Sequence, residues 1–335
     1  MVRVPGPGPT TTLADIARAA EVSTATVSHA LNGTGRLAEG TRRRVREVAT
    51  RLGYGAPYAP RVRTRTLGLA VTTFAGSAWN FVAVSYFSRW LTAATSAAHA
   101  RGYALTALPA DRGAESLWHT LAVDGMLLLD SPQGDPVLRA LRARGIPVVF
   151  DGRPTDPRPA DLWVDNDHTA TTRTVLDHLA AAGARRIALH CGFGAEYFTH
   201  AVTEAYRQWS AEHGRPALLV PFDPHDGPGH AFDRAFADGA ADAVYSLYDP
   251  GGRQALAAAA RHGLAVPERL LVVCASEDPA YAACDPPVTT VTLNPEVIAE
   301  TAVSALVDLV ESGEPVATGG LTVPAELLAR ASSRR

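Results

Sequence analysis

The chain has 335 residues, 47% of them apolar, which is enough to bury the cores of two or three domains. No apolar run reaches the roughly 18 residues of a membrane-spanning helix, and the opening MVRVPGPGPTT lacks the apolar centre of a signal peptide, so neither a membrane protein nor an exported one is expected. The formal net charge of -3 hides a division: residues 1–66 hold 11 arginines against 4 acidic residues, and the remainder holds 20 arginines against 30. A basic head on an acidic body is the electrostatic layout of a nucleic-acid-binding domain joined to a solvated core. Every basic residue is Arg, so Arg enrichment alone carries little weight. Cys191, Cys274 and Cys284 are an odd set without close pairing, which suits a reducing cytoplasm. They read as small buried hydrophobes rather than as zinc ligands with His190 or His178.

Residues 1–11 read as a disordered arm. The stretch TLADIARAAEVSTATVSHALNG (12–33) then reads as two helices and a tight turn. Thr12 and Asp15 have capping-box spacing, and Leu13, Ile16, Ala17 and Ala20 share one helical face. Glu21-Val22-Ser23 makes the turn, with Val22 as its plug and Ser23 placed to cap the second helix. That helix, 24–31, should bury Ala25 or Thr26, Val27, Ala30 and Leu31, leaving Thr24, Ser28, His29 and Asn32 outward. Short polar side chains near a helix N-terminus suit insertion into a DNA major groove. A third helix over 40–54 packs Val45, Val48 and Leu52 inward and opens on Arg42-Arg43-Arg44 and Arg46, at least one of which should touch phosphate.

A Pro- and Arg-containing linker (57–66) separates this 12–56 head from a core over 67–335. The core alternates strand-like runs (67–73, 103–108, 124–129, 146–150, 186–190, 217–220, 243–247, 270–274) with helical ones (83–101, 134–144, 168–183, 200–214, 229–238, 251–263, 295–313). That alternation implies parallel sheets with crossover helices. No internal repeat of fixed period is visible.

The stretches TATVSHALNG and GTRRRVREVATRLGY resemble the DNA-binding headpiece of the lactose-repressor (LacI/GalR) family. Downstream, VDNDHTATTRTVLDHLAAAGARRIALHCG (164–192), DAVYSLYD (242–249), GLAVPERLLVVCASED (263–278), PPVTTVTLNP (286–295) and ELLARASS (326–333) resemble that family's periplasmic-binding-protein-like core. The resemblance implies an all-α helix-turn-helix head on an α/β core of two parallel-sheet subdomains facing each other across a cleft. The expected N-subdomain is about 67–165 with 291–320, and the C-subdomain about 166–290 with 321–335, with crossings near 163–167, 289–293 and 318–322. Strand carboxyl ends would point into the cleft, where such sheets bind ligands. On the DNA side it implies that Thr24 and Ala25 open the recognition helix and that Ser23, Thr26, Ser28, Asn32 and Thr41 touch phosphate or base edges. Leu13, Arg42 and Tyr54 complete the expected DNA-facing set. His29 stands where most relatives carry Arg; its imidazole lacks a bidentate fork, so weaker discrimination follows at that base.

Several positions depart from the family pattern. The linker is shorter than usual, lacks the hinge-helix Asn and the Leu that wedges into the minor groove, and contains Pro60, so it reads as a flexible basic tether. In the cleft, Val202 replaces the effector-binding Arg that precedes the family's Gly-Tyr pair (here Ala205-Tyr206), and Ser276 replaces the first Asp of a Gly-x-Asp-Asp run. Asp151 and Asp249 remain at strand ends, and Asp165-Asn166 keeps the crossing motif, either as ligand contact or as a backbone tie. The loop after the first core strand is longer than usual and holds Phe74, Trp79, Asn80 and Phe81. It forms either an aromatic lid over a flat or apolar effector, or a cover for the core or dimer interface. Phe193, Tyr197 and Tyr248 would extend the apolar wall.

No Gly-x-Ser-x-Gly elbow, His-Glu-x-x-His or P-loop is present, and Cys191-Gly192-Phe193-Gly194 lacks the third glycine of a dinucleotide loop, so catalysis, a cofactor and a metal are not expected. The expectation is a cytoplasmic, homodimeric transcriptional repressor that binds a palindromic double-stranded DNA operator and answers to a small-molecule effector. The alternative is a DNA-binding regulator whose cleft has lost its small ligand and responds to a protein partner or to nothing. No heptad run follows the core, so a coiled-coil tetramer is not expected.

Overall fold

A computed structural model describes residues 12–32, 37–51, 63–72, 81–108, 121–192, 194, 196–223, 226, 229–237, 239–313 and 318–335. The head consists of α1 (Leu13–Ala19), α2 (Thr24–Asn32) and α3 (Glu39–Arg51). Both halves of the capping box form: Asp15 N–H donates to Thr12 Oγ1 at 3.3 Å, and Thr12 N–H donates to Asp15 Oδ2 at 2.9 Å. Glu21 adopts φ 53° in the turn, and Ser23 Oγ accepts from Thr26 N–H at 3.1 Å to cap α2. Ile16, Ala17, Ala20, Val27, Ala30, Val45, Val48 and Ala49 form the core of the head, with Leu13, Val22, Leu31 and Leu37 against its edge. Of the pair Ala25 and Thr26, Thr26 turns half inward and Ala25 stays exposed. Leu52 lies outside the described residues, and Ala49 is buried on α3.

The core holds two six-stranded sheets among the described residues. The first comprises β1 (Thr66–Val71), β2 (Ala104–Ala107), β3 (Gly125–Leu129), β4 (Val148–Asp151), β5 (Leu162–Asp165) and β11 (Gly319–Thr322), in the order β11-β5-β4-β3-β1-β2. The second comprises β6 (Ile187–Cys191), β7 (Leu218–Pro221), β8 (Ala243–Ser246), β9 (Leu271–Ala275), β10 (Thr289–Thr292) and β12 (Glu326–Leu328), in the order β12-β10-β9-β8-β6-β7. All pairings are parallel except that of β10 with β12. The central strands are apolar without alternation because helices cover both faces, as in Gly125–Leu129 and Leu271–Ala275, which are buried along their whole length.

The crossover helices are α4 (Ser85–Ala100), α5 (Pro136–Ala143), α6 (His168–Ala181), α7 (Tyr197–Glu212), α8 (Asp233–Ala237), α9 (Gly251–Arg261) and α10 (Pro295–Ser312). Each of the eight strand-like runs read from sequence overlaps an observed strand. The segments expected as bare crossings contain strands of their own, β5, β10 and β11, and the chain passes between the sheets just after each. β10 lies wholly in the second sheet, so the return to the first comes after Thr292, within the expected crossing near 289–293. The single helix expected over 229–238 is instead a 3-10 turn, His230–Phe232, running into the short α8. Gly229 sets where this turn starts: it takes φ 72°, and a Cβ there would meet Gln254 O at 2.3 Å.

On one face of the first sheet α4 and α10 pack together, burying Trp90, Ala94 and Ala98 of one helix with Ile298, Ala302, Val303 and Leu306 of the other. Of the expected linker, residues 63–66 are described, and they are tied to this subdomain. Arg63 donates to Glu311 O at 3.1 Å, and the backbone N–H groups of Thr64 and Arg65 donate to the Asp124 carboxylate.

Candidate nucleic-acid interface and effector cleft

Thr24, Ala25 and His29 are exposed on α2, and Ser23 is exposed just before it. Thr26, Ser28, Thr41 and Arg42 are half-buried at its margin. The first turn of α2 contains no acidic residue, so the partial positive charge of its N-terminus is not offset there. Arg42 donates to His29 O at 3.4 Å, which links the start of α3 to the far end of α2. Arg43 and Arg44 are exposed on α3, Arg43 within 3.9 Å of Glu47. Leu13 is half-buried against the core of the head. Asn32 closes α2, and Tyr54 lies outside the described residues.

In the core, the C-terminal ends of β3, β4 and β5 bring Asp130, Asp151 and Asp165 to one edge of the first sheet. Asp151 is 5% exposed, and both its carboxylate oxygens lie 3.0 Å from the Tyr86 hydroxyl at the start of α4. Burial, then the nearby Asp130, push its pKa well above the usual carboxylate range, against the opposing pull of the Tyr86 hydrogen bond. Asp130, half-buried at φ 52°, is pushed up to about 8 by burial and by the charges of Glu196 and Asp165. Asp165 is engaged by His168 Nε2 at 2.7 Å and by the Arg153 backbone N–H at 2.9 Å.

The facing wall comes from the second subdomain. Glu196 precedes α7 and is bonded by the Thr199 hydroxyl and, at 3.3 Å, by the Tyr248 hydroxyl; Thr199 and Tyr248 also bond each other. Tyr197 lies under the Arg153 guanidinium, 4.8 Å from its ring centre, and Trp163 flanks the same guanidinium at 5.7 Å. Phe198 and Tyr248 meet edge to face at 6.0 Å. Asp249 follows β8, and its Oδ2 accepts from Ser276 Oγ at 2.6 Å.

Of the residues expected in the cleft, Tyr197 and Tyr248 fall on one wall, Asp151 on the other, and Asp249 and Ser276 are bonded to each other. Phe74, Trp79, Asn80 and Phe193 lie outside the described residues, and Phe81 begins a 3-10 turn before α4. Val202 is buried in the second hydrophobic core, and the Tyr206 hydroxyl joins Ile187 O to Leu218 N. Asn166 Nδ2 donates to Leu293 O at 3.1 Å and Val323 O at 2.8 Å, so one side chain in the first crossing ties the other two. Sequence reasoning missed Asp130, Tyr86, Glu196 and Arg153. Asp130 had a signal, an acidic residue directly after the apolar run Gly125–Leu129, the same pattern that singled out Asp151. Glu196 and Tyr86 sit at helix starts and carry no comparable local mark.

Residues 12–56 match the family of bacterial regulatory proteins of the lacI type, and residues 176–333 match a periplasmic-binding-protein-like domain. An HTH-type transcriptional regulator from the aml 5' region of Streptomyces limosus is 30% identical, with 88% of this chain and 87% of that one aligned. The chain belongs to the lacI family of bacterial transcriptional regulators. Among solved structures, the regulator CelR in complex with cellobiose is similar at 27% identity, covering 96% of this chain and 100% of that one with a TM-score of 0.72. The lac repressor dimer bound to operator and the anti-inducer ONPF shares the fold at 20% identity, covering 98% and 100% of the two chains with a TM-score of 0.69. This lacI-family chain therefore pairs a DNA-binding head with a periplasmic-binding-protein-like core, and its named relatives are regulators rather than enzymes. Among the described residues no helix is long and apolar enough to cross a membrane.

Proposed function

We propose that this lacI-family regulator acts in the cytoplasm as a homodimeric repressor, reading a palindromic operator with α2 and releasing or tightening its grip when a small molecule enters the cleft. The observation that carries the reading is the pairing of an outward row of Thr24, Ala25 and His29 on α2 with a two-walled cleft at the strand ends of a separate core. Two heads held by a core dimer would address two half-sites one or more helical turns apart. The lac repressor structure, a dimer on its operator, supports that arrangement by analogy of fold, and the CelR–cellobiose complex supports a small-molecule effector.

A thermal-shift screen of the purified protein against sugars, nucleosides, bases and aromatic metabolites tests the cleft. An effector present at about 100 times its dissociation constant stabilises the native state by roughly 2.7 kcal/mol and raises the melting temperature. A hit that also changes affinity for DNA carrying the operator supports an effector-gated repressor. No shift from any class would overturn the small-molecule reading and leave a regulator that answers to a protein partner or to nothing. Operator selection from random duplexes checks the head, and enrichment of a palindrome is the expected result.

A further inference from the structure

A continuous run of polar contacts joins the two subdomains beside the cleft. Ser276 donates to Asp249 Oδ2 at 2.6 Å and accepts from the Asp278 backbone N–H at 3.0 Å. The other Asp249 oxygen, Oδ1, is buried without a regular hydrogen bond from a described residue, and the Tyr281 hydroxyl, like Ser276, favours the charged carboxylate. The next residue, Glu277, is 5% exposed. Its Oε1 accepts from the Leu293 backbone N–H at 2.7 Å, and its Oε2 accepts from Thr292 Oγ1 at 2.7 Å and from Arg89 Nη1 at 3.1 Å. Arg89 Nη1 also donates to Glu277 O at 3.2 Å, and Arg89 Nε donates to Glu296 Oε1 at 2.6 Å.

Arg89 belongs to α4 of the first subdomain, and Tyr86 lies three residues before it, a spacing that makes the two neighbours on the helix surface. One turn of α4 therefore holds the first cleft wall through Tyr86 and Asp151 and the second subdomain through Arg89 and Glu277.

We propose that Arg89 is a positioning residue that couples the effector cleft to the first subdomain, sensing the Asp249–Ser276 contact through Glu277. The proposal rests on the cleft being the effector site. A ligand that donates a hydroxyl or ammonium hydrogen to Asp249 Oδ2 competes with Ser276 for that oxygen. Losing Asp249 loosens the 276–278 loop, which shifts the Glu277 carbonyl and carboxylate against Arg89. Glu277 is buried and cannot exchange its cation for water cheaply, so the shift is passed to α4 rather than absorbed. By linkage, whatever moves α4 changes the affinity at Asp249 by the same factor.

Hydrogen–deuterium exchange on the intact, ligand-free chain tests this with Ser276→Ala, Arg89→Gln, Arg89→Lys and the Ser276→Ala/Arg89→Gln double variant. Ser276→Ala should speed exchange of the α4 amides at 89–93 at least about fivefold, although Ser276 does not touch that helix. Arg89→Gln should do the same at residues 247–249, Arg89→Lys should restore most of the protection, and the double variant should exceed neither single by much. Melting curves confirm that each variant is folded. Effects confined to residues 276–278 for Ser276→Ala, or additive effects in the double variant, would overturn the coupling. No effector or DNA is present, so the coupling can stand where the ligand screen fails, and can fail where that screen succeeds.

Discussion

A carboxyl group at the mouth of a cleft takes its charge state from burial and from its neighbours, and at Asp130 both favour the neutral form. None of its described neighbours donates a hydrogen bond to it, and Glu196 and Asp165 repel its charge. Its folded pKa of about 8 lies above the ordinary carboxyl value of 3.8, so the folded protein binds the extra proton across that window. Stability from this group is full below about pH 4 and is lost as pH rises through about 8. Asp130→Asn, which keeps the shape and removes the charge, should leave the melting temperature near pH 4 almost unchanged. At pH 8.5 it should raise it by at least about 2 °C, read by scanning calorimetry. On the DNA side, His29 offers an exposed imidazole where a guanidinium could make two hydrogen bonds to guanine. His29→Arg should tighten operator binding and sharpen the preference for guanine at one position per half-site by roughly 1–3 kcal/mol, measured by titrating base-substituted duplexes. An unchanged base preference would remove His29 from the reading surface.

At the scale of elements, α1 has seven residues and depends on its cap and its partners rather than on its own length. Thr12→Ala removes one half of the capping box and should cost the head about 1 kcal/mol, seen as faster amide exchange in α1 with the core unaffected. This element, like the other helices of the head, was legible because local chemistry marks it: Thr12 and Asp15 at one end, Ser23 at the next, and apolar residues at helical spacing between. The central strands were legible for a different reason, since short uninterrupted apolar runs bounded by polar residues, such as the one holding Leu271–Ala275, fit strands covered on both faces. The two C-terminal edge strands were not. Gly319–Thr322 and Glu326–Leu328 are short and half-exposed, and they are strands only because β5 and β10 offer them free edges. The cleft divided in the same way. Asp151 announced itself at the end of an apolar run, whereas Tyr86 and Glu196 acquire their role from partners 65 and 52 residues away in sequence.

For the molecule as a whole, the two subdomains are joined where three stretches of chain run side by side, and Asn166 is the side chain common to all three. Asn166→Ala leaves Leu293 O and Val323 O without that donor and should cost about 1–3 kcal/mol. Small-angle scattering should show a wider spread of inter-subdomain angles, and an unchanged profile with an unchanged melting temperature would assign the tie no mechanical role.

The order of strands also has a consequence during synthesis. Among the described residues, the helices of the head end at Arg51 and pack on one another. Neither sheet of the core is complete so early, because β11 at Gly319–Thr322 closes the edge of the first and β12 at Glu326–Leu328 that of the second. Ser332 then buries its hydroxyl against Val272 O and receives the Thr289 N–H. At roughly 5–20 residues per second of synthesis, the head emerges tens of seconds before the core can close.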